Sequence, residues 1–182
     1  MDELYVIARR VLLDAFETLD AHLDAITLVG AQAIYLRVGD ADLAVAPYTT
    51  DGDLAIDPAR LGPLPPLEQA LTRAGFAPRH VESVGIWVTK RPTSEGIDVD
   101  VAVDLLVPSA VSGRKSRRAA RLTGHDSRAA RIVVGLEGAL VDADRLAVPA
   151  LETTDSRVVE VRVAGPAALI LAKAHKIDDR SG

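Results

Sequence analysis

The sequence predicts an α/β protein (α+β in its details), with a small mixed sheet flanked by helices and a helical part at the C-terminal end. Three observations indicate this class. Apolar residues recur at helical spacing between residues 3 and 20, apolar strand-like segments cover residues 26–29 and 97–107, and Gly165-Pro166 opens a last segment of helical pattern. Helical and strand-like segments alternate along the chain, which is typical of a sheet covered by helices.

The first half of the chain gives the elements in a regular order. The first helix has one apolar stripe, and Arg9 lies mostly off it. A buried strand over residues 26–29 leads into a helix over residues 31–38, which starts directly after Gly30. Residues 39–50 are predicted to form a loop that delivers the chain to a second strand at Asp51.

The second half continues with a helix over residues 67–74. The strand-like segments 84–89 and 97–107 predict a hairpin with a long loop. Residues 157–163 alternate as a strand does, whereas residues 132–142 fit neither pattern. The last helix presents Lys173 and Lys176, and the chain ends on it without a cap, which suggests a missing tail.

Two carboxylates mark the start of the second strand. Side chains two apart in a strand point to one face, so Asp51 and Asp53 of Thr50-Asp51-Gly52-Asp53 lie side by side. Their repulsion is relieved by a divalent cation, and Mg²⁺ prefers carboxylate oxygens. Gly30, at the mouth of a helix, leaves backbone N–H groups free to hold a phosphate. The alternative interpretation is that both features only make turns.

The strand over residues 97–107 carries further acids. Its apolar residues share one face, and the other face carries Asp98, Asp100 and Asp104. A solvent-facing strand would more usually carry mixed charges. If this strand lies beside the Asp51 strand, one of the three acids completes a metal-binding triad.

Composition narrows the class of protein. The 182 residues are 48% hydrophobic and include no cysteine, so a single cored domain is expected and thiolate metal sites are excluded. We expect a core with the metal site over residues 1–110. Residues 111–182, with a basic segment, a strand and a lysine-bearing helix, would form part of the same globular unit or a small lobe. The acidic N-terminus is unlike a signal peptide and the longest apolar run is too short to span a bilayer, so a cytoplasmic protein is expected.

Charge is distributed unevenly. The net charge of −5 argues against a generic nucleic-acid binder, but residues 112–131 carry +6 and the remainder −11. Phosphates are the natural partners of such a segment, and the alternative is a solvated surface helix. The basic residues of the segment are Arg114, Lys115, Arg117, Arg118, Arg121, Arg128 and Arg131.

The order of these motifs resembles a known pattern. Gly30-Ala31, then Asp51-Gly52-Asp53, then a strand-borne Asp resembles the nucleotidyltransferases of the DNA polymerase β superfamily. More narrowly, LVGAQAIYL, TTDGDLAID, VDLLVP and LILAKAHKIDDR resemble the AbiEii/MenT-type nucleotidyltransferase toxins of type IV toxin–antitoxin systems. Ala31 stands where the pattern usually has Gly or Ser.

The resemblance implies a set of roles. Asp51, Asp53 and Asp104 would hold two Mg²⁺ ions, with Asp100 and Asp98 as alternatives to Asp104. Lys173 would contact the phosphates of the substrate NTP. The groups implied around the nucleotide are Gly30, Ala31, Thr50, Lys173 and Lys176.

The implied activity is transfer of a nucleoside monophosphate from an NTP to an acceptor. In the best-understood members of the family the acceptor is the 3′ end of tRNA, and its modification blocks translation. An antitoxin protein would be a further partner. The basic segment, through Arg114, Arg117, Arg118 and Arg121, would bind the RNA phosphates. Two alternatives remain open: a small-molecule or protein acceptor, and a non-catalytic module that binds nucleotide or antitoxin.

Overall fold

The computed structural model describes residues 2–39, 49–112 and 118–181, with the backbone alone for residues 177–181. Most of the predicted loop over residues 39–50 lies outside this range. So do Arg114, Lys115 and Arg117 of the basic segment.

One mixed sheet of eight strands organises the described chain. The strands are β1 (Ile26–Val29), β2 (Asp51–Ile56), β3 (Ala77–Pro78), β4 (Ile86–Pro92), β5 (Asp98–Pro108), β6 (Arg131–Val133), β7 (Ala143–Pro149) and β8 (Val158–Ala164). Their order is β3-β4-β5-β2-β1-β8-β7, and β6 pairs with β5 off this path. The pairs β2/β5, β1/β8 and β5/β6 are parallel, and the other pairs are antiparallel.

Helices cover both faces of this sheet. They are α1 (Glu3–Thr18), α2 (Gly30–Val38), α3 (Leu67–Arg73) and α4 (Pro166–Ser181), with 3-10 turns at Asp20–Ala25, Ser109–Val111 and Glu137–Leu140. Asp2 begins α1 by accepting a hydrogen bond from the Tyr5 backbone at 3.1 Å. The first turn of α4 is capped from outside the helix, because Asp142 accepts a hydrogen bond from the backbone N–H of Ala168 at 2.9 Å.

The main core lies between the sheet and α1. Leu12 and Phe16 of α1 are fully buried with Leu54 of β2 and Val103 of β5, and each such side chain contributes about 1.5–3 kcal/mol of transfer free energy. Gly52 lets α1 approach β2 closely, because a Cβ there would lie 3.0 Å from a Leu12 methyl. The main core therefore occupies one face of β2 and β5, and a different set of residues lies on the opposite face.

A second, smaller cluster covers part of that opposite face. It joins Val29, Ala55 and Leu106 of the sheet to Ala168 of α4. Ala55 and Leu106 have the strand parity of Asp53 and Asp104, so this face is the one that carries the carboxylates.

The α/β class, the first strand, the four helices and the hairpin of β4 and β5 are confirmed. The expectation of a small sheet is wrong, because β3, β6 and β7 extend it to eight strands. The edge strand β7 is mostly exposed and carries charged residues, so its sequence lacks the apolar alternation that predicts a strand. Strands from residues 1–110 and from residues 111–182 share this one sheet.

The alternative interpretation of the basic segment as a surface helix and the placement of Arg9 are both corrected. Residues 118–131 form no helix: the segment turns at Gly124, whose φ is +85°, and returns to pair as β6. Arg9, expected off the apolar stripe, is only 1% exposed. None of the helices in the described ranges has the length and apolar character that a membrane span requires.

Candidate active site

Three carboxylates meet on adjacent strands. The parallel pairing of β2 and β5 places Asp53 directly opposite Asp104 and Asp51 opposite Ala102. Residues paired in this way point to one face, so Asp51, Asp53 and Asp104 form a single acidic group. The two strands are neighbours, which is the condition stated for the sequence, and the pairing selects one acid from the three on β5.

The other two acids of β5 lie further away. Asp100 pairs with Lys90 of β4, Asp98 pairs with Pro92, and both carboxylates are exposed. They precede the part of β5 that pairs with β2, which begins at Ala102. Asp104 is therefore the acid that the structure brings beside Asp53.

Asp53 is the carboxyl group of the three whose pKa is shifted most strongly upwards. Burial, together with Asp51 and Asp104, raises its pKa to about 7. The cations that oppose this rise, Lys176 and Arg131, act through Coulomb attraction alone. The carboxylate also fills the space beside Gly30, where a Cβ would lie 2.1 Å from Oδ2.

Asp104 has a different environment. An NH2 group of Arg131 donates to its Oδ2 at 2.6 Å, and the carboxylate side chain is 12% exposed. Burial raises the pKa of Asp104, and this effect exceeds the lowering by the Arg131 charge and hydrogen bond. The sequence predicted that Arg131 binds phosphate within the basic segment; the structure instead pairs it with the proposed third carboxylate.

A hydrogen bond from a nearby threonine fixes the orientation of the Asp51 carboxylate. The hydroxyl of Thr49, which is 7% exposed, donates to Asp51 Oδ1 at 2.6 Å. Thr50, predicted to bind the nucleotide, is exposed and directly precedes β2. Strand parity places Thr49 rather than Thr50 on the face of Asp51, and this parity was readable in the sequence.

The two lysines of α4 differ in their relation to this group. Ala168 and Ala172 face the sheet, and Lys176 continues the same stripe one turn later. The Lys176 charge lowers the pKa of Asp53, against the stronger effects that raise it. Lys173, predicted to contact phosphate, is exposed on α4. Ala31 lies in the first turn of α2, beside Gly30.

A buried polar network, which the sequence did not indicate, anchors that first turn. Arg9 donates to Gln32 Oε1 at 2.9 Å, to the Tyr5 hydroxyl at 3.0 Å and to the Pro149 carbonyl at 3.0 Å. Burial lowers the pKa of Arg9. Because Gln32 belongs to the turn that begins at Gly30, this network holds the start of α2 beside Asp53.

The remaining basic residues of the segment differ in their contacts. Arg118 and Arg121 are exposed. Arg128 is engaged: it donates to the Val81 carbonyl at 2.7 Å and lies 3.8 Å from Asp126. Arg114 and Arg117 lie outside the described residues. Arg118, Arg121 and Arg128 are all exposed, and Arg128 differs from the other two in its contacts with Val81 and Asp126.

The chemistry of the acidic group fits a divalent cation in part. Carboxylate oxygens suit Mg²⁺, and burial together with Asp51 and Asp104 disfavours the charged form of Asp53, which a bound cation would stabilise. Within the described ranges, however, no three acidic or histidine side chains are placed so that together they could hold a metal. Asp51 and Asp53 are the pair that fits, because Asp104 is bonded to Arg131.

Comparisons of the chain with protein-family models, with curated proteins and with solved structures find no match. The resemblance to nucleotidyltransferase toxins therefore depends on the motifs quoted above, and the family remains a hypothesis.

Proposed function

We propose that this chain is a metal-dependent nucleotidyltransferase, which moves a nucleoside monophosphate from an NTP to an acceptor. The observation that carries the proposal is the pairing of Asp53 with Asp104 across β2 and β5, with Asp51 on the same face and Gly30 beside Asp53. An acidic group next to a helix start suits a site that receives phosphates with their counter-ion.

Asp51 and Asp53 would hold Mg²⁺. When bound, the metal supplies positive charge to the triphosphate and favours loss of the proton from the attacking hydroxyl. Thr49 fixes the orientation of Asp51 through its 2.6 Å hydrogen bond. Asp104, the strand partner of Asp53, would accept a proton from an acceptor hydroxyl bound beside the two carboxylates.

Positive side chains on α4 would bind the substrate phosphates. Lys176 has a charge that reaches Asp53, so a phosphate held near Asp53 is within its influence. Lys173 lies about one turn earlier on the exposed surface and would add a second charge. The backbone N–H groups at the start of α2, from Gly30 and Ala31, would complete the phosphate contacts.

For the acceptor we propose the 3′ end of tRNA in the cytoplasm, with translation blocked as the outcome and an antitoxin as the natural inhibitor. Support comes from the motif resemblance and from the exposed Arg118 and Arg121. Contacts of this kind bind the RNA backbone in a salt-dependent way, without reading bases.

The test is label transfer. The protein is incubated with each labelled NTP, Mg²⁺ and total tRNA, beside Asp53→Asn, which keeps the shape of the side chain and removes the charge. Label on RNA that disappears in Asp53→Asn supports the proposal and identifies the nucleotide. Label on a small molecule or a protein, with RNA unlabelled, would show that the enzyme is a nucleotidyltransferase with that kind of acceptor instead of tRNA.

A second candidate is a non-catalytic nucleotide-binding module. The bond between Arg131 and Asp104 favours it, because a carboxylate held by a guanidinium is less available to a metal or a proton. Calorimetric titration with an NTP distinguishes the two when it is combined with the transfer assay. Mg²⁺-dependent binding with no transfer to any acceptor would support the module.

A further inference from the structure

The pairing of Arg131 with Asp104 bears on how many metal ions the site holds. The Arg131 side chain is 36% exposed and that of Asp104 is 12% exposed, so water only partly screens the pair. The Arg131 Nε is buried and has no hydrogen-bond partner within the described chain. The guanidinium therefore binds Asp104 through its NH2 end alone.

Backbone contacts fix the position of Arg131. Arg131 pairs with Leu106 in the β5/β6 ladder, one strand away from Ala55 of β2. The backbone N–H of Gly85 donates to the carbonyl of Arg128 at 2.8 Å, and the Gly85 carbonyl accepts from Leu105 at 2.7 Å.

Gly85 admits no side chain at this position. Its φ is +69°, and a Cβ would lie 2.5 Å from the Arg131 nitrogen. The backbone of Arg131 is consequently part of the sheet framework, and its side chain extends from there to Asp104.

We infer that Arg131 supplies, as a fixed cation, the positive charge that a second metal ion would otherwise supply at Asp104, so that this chain binds one divalent cation, at Asp51 and Asp53. The inference rests on the proposed function, since it concerns the same carboxylates. It replaces the two-ion arrangement that the motif resemblance implies.

The charges at the site support a single ion. Asp51, Asp53 and Asp104 bring three negative charges, while Arg131 and Lys176 bring two positive ones that act on Asp53. Asp104 is also under the influence of the Arg79 charge. A second divalent ion on Asp104 would meet a guanidinium already 2.6 Å from the carboxylate and would be repelled by it.

The experiment counts bound metal without using activity. Mn²⁺ stands in for Mg²⁺, and the electron paramagnetic resonance signal of free Mn²⁺ is measured as the full chain is titrated. We expect one Mn²⁺ per chain for the natural protein and two for Arg131→Met, because Asp104 is then free to take a second ion. Arg131→Lys, which keeps a positive charge, should remain at one.

A matched control comes from the same segment. Arg128→Met removes an arginine that is bonded to Val81 and lies near Asp126, away from the carboxylates, and should leave the count at one. Asp53→Asn should reduce the count to zero or weaken the site at least tenfold. If Arg131→Met does not fold, Arg131→Gln, which also removes the charge, takes its place and should bind two ions.

The possible failures are distinguishable. Two ions on the natural protein, or an unchanged count of one in a folded Arg131→Met, would overturn the inference. If label transfer persists in either case, the proposed nucleotidyltransferase stands. A natural protein that binds no Mn²⁺ and transfers no label would overturn both.

Discussion

The carboxylate of Asp53 fills the space that a side chain at Gly30 would need. A Cβ at residue 30 would lie 2.1 Å from Asp53 Oδ2, and the φ of +70° independently disfavours any other residue. Gly30 therefore joins two parts of the site: the first turn of α2 and the carboxylate at its mouth. No substitution at residue 30 can preserve both.

The first prediction concerns this contact. Gly30→Ala should lower the free energy of unfolding by about 2–4 kcal/mol, combining the strain of a positive φ with overpacking against Asp53. Urea denaturation measures the loss. Gly75→Ala is the matched control, because Gly75 has a φ of +85° but no described atom within 4 Å of its Cβ position. Equal losses in the two variants would show that the contact with Asp53 contributes nothing.

How far the sequence predicts this site depends on the range of each interaction. Strand alternation is local, so Asp51 and Asp53 could be assigned to one face before any fold was known. The same alternation leaves Asp98, Asp100 and Asp104 equivalent. Only the pairing of β2 with β5, which joins residues about 50 positions apart, selects Asp104.

Long-range contacts also explain what the sequence did not predict. Arg131 was counted in a run of positive charge, and nothing local shows that a turn at Gly124 returns it to Asp104. Arg9 lies off the apolar stripe of α1, yet Gln32 of α2 and Pro149 of β7 enclose it. Each of these contacts requires the assembled sheet.

The second prediction follows from the pKa of Asp53. Burial and the neighbouring carboxylates raise it from 3.8 to about 7, so between about pH 4 and pH 7 the folded state binds more protons than the unfolded state. In EDTA, the contribution of Asp53 to stability should therefore fall as pH rises through this window. Asp53→Asn should remove this dependence and be more stable than the natural protein at pH 8, by at most about 4 kcal/mol.

Urea denaturation at several pH values between 4 and 8 measures the effect. Mg²⁺ added at pH 8 should stabilise the natural protein and leave Asp53→Asn unchanged, because only the former retains the paired carboxylates. The exposed Asp98 on β5 provides the control substitution, Asp98→Asn. The prediction would be contradicted if the stability of the natural protein relative to Asp53→Asn stayed constant or rose from pH 4 to pH 8 in EDTA.

The third prediction separates the two lysines of α4. The charge of Lys176 lowers the pKa of Asp53, and Lys176 continues the stripe of Ala168 and Ala172 on α4. Lys176→Ala should therefore raise the KM for the NTP about tenfold or more, as expected for loss of a charged phosphate contact, and Lys173→Ala should have the smaller effect. Lys90→Ala, at an exposed position of β4, is the control for the loss of a lysine elsewhere on the surface. The reverse order would restore the role that the motif resemblance gives to Lys173.

The last prediction concerns His125, which ties the proline-rich segment before α3 to the rest of the fold. Its Nδ1 accepts from the Leu67 backbone at 3.1 Å and its Nε2 donates to the Gly62 carbonyl at 3.0 Å, so the ring must be neutral to make both bonds. Burial lowers the pKa of His125, with a further lowering from the charge of His22, whose ring lies 5.6 Å away.

A histidine whose folded pKa is depressed stabilises the fold above its unfolded pKa, and this contribution is lost as pH falls below about 6.5. His125→Gln should therefore lower the free energy of unfolding by about 1–3 kcal/mol at pH 7.5, and by less at pH 5, where the natural protein has also lost the contribution. Urea denaturation at both pH values measures the difference, with the exposed His80→Gln as control. Titration of the His125 ring by NMR measures its pKa in the folded protein directly. A midpoint at or above about 6.5 would contradict the prediction, because burial would then not favour the neutral ring.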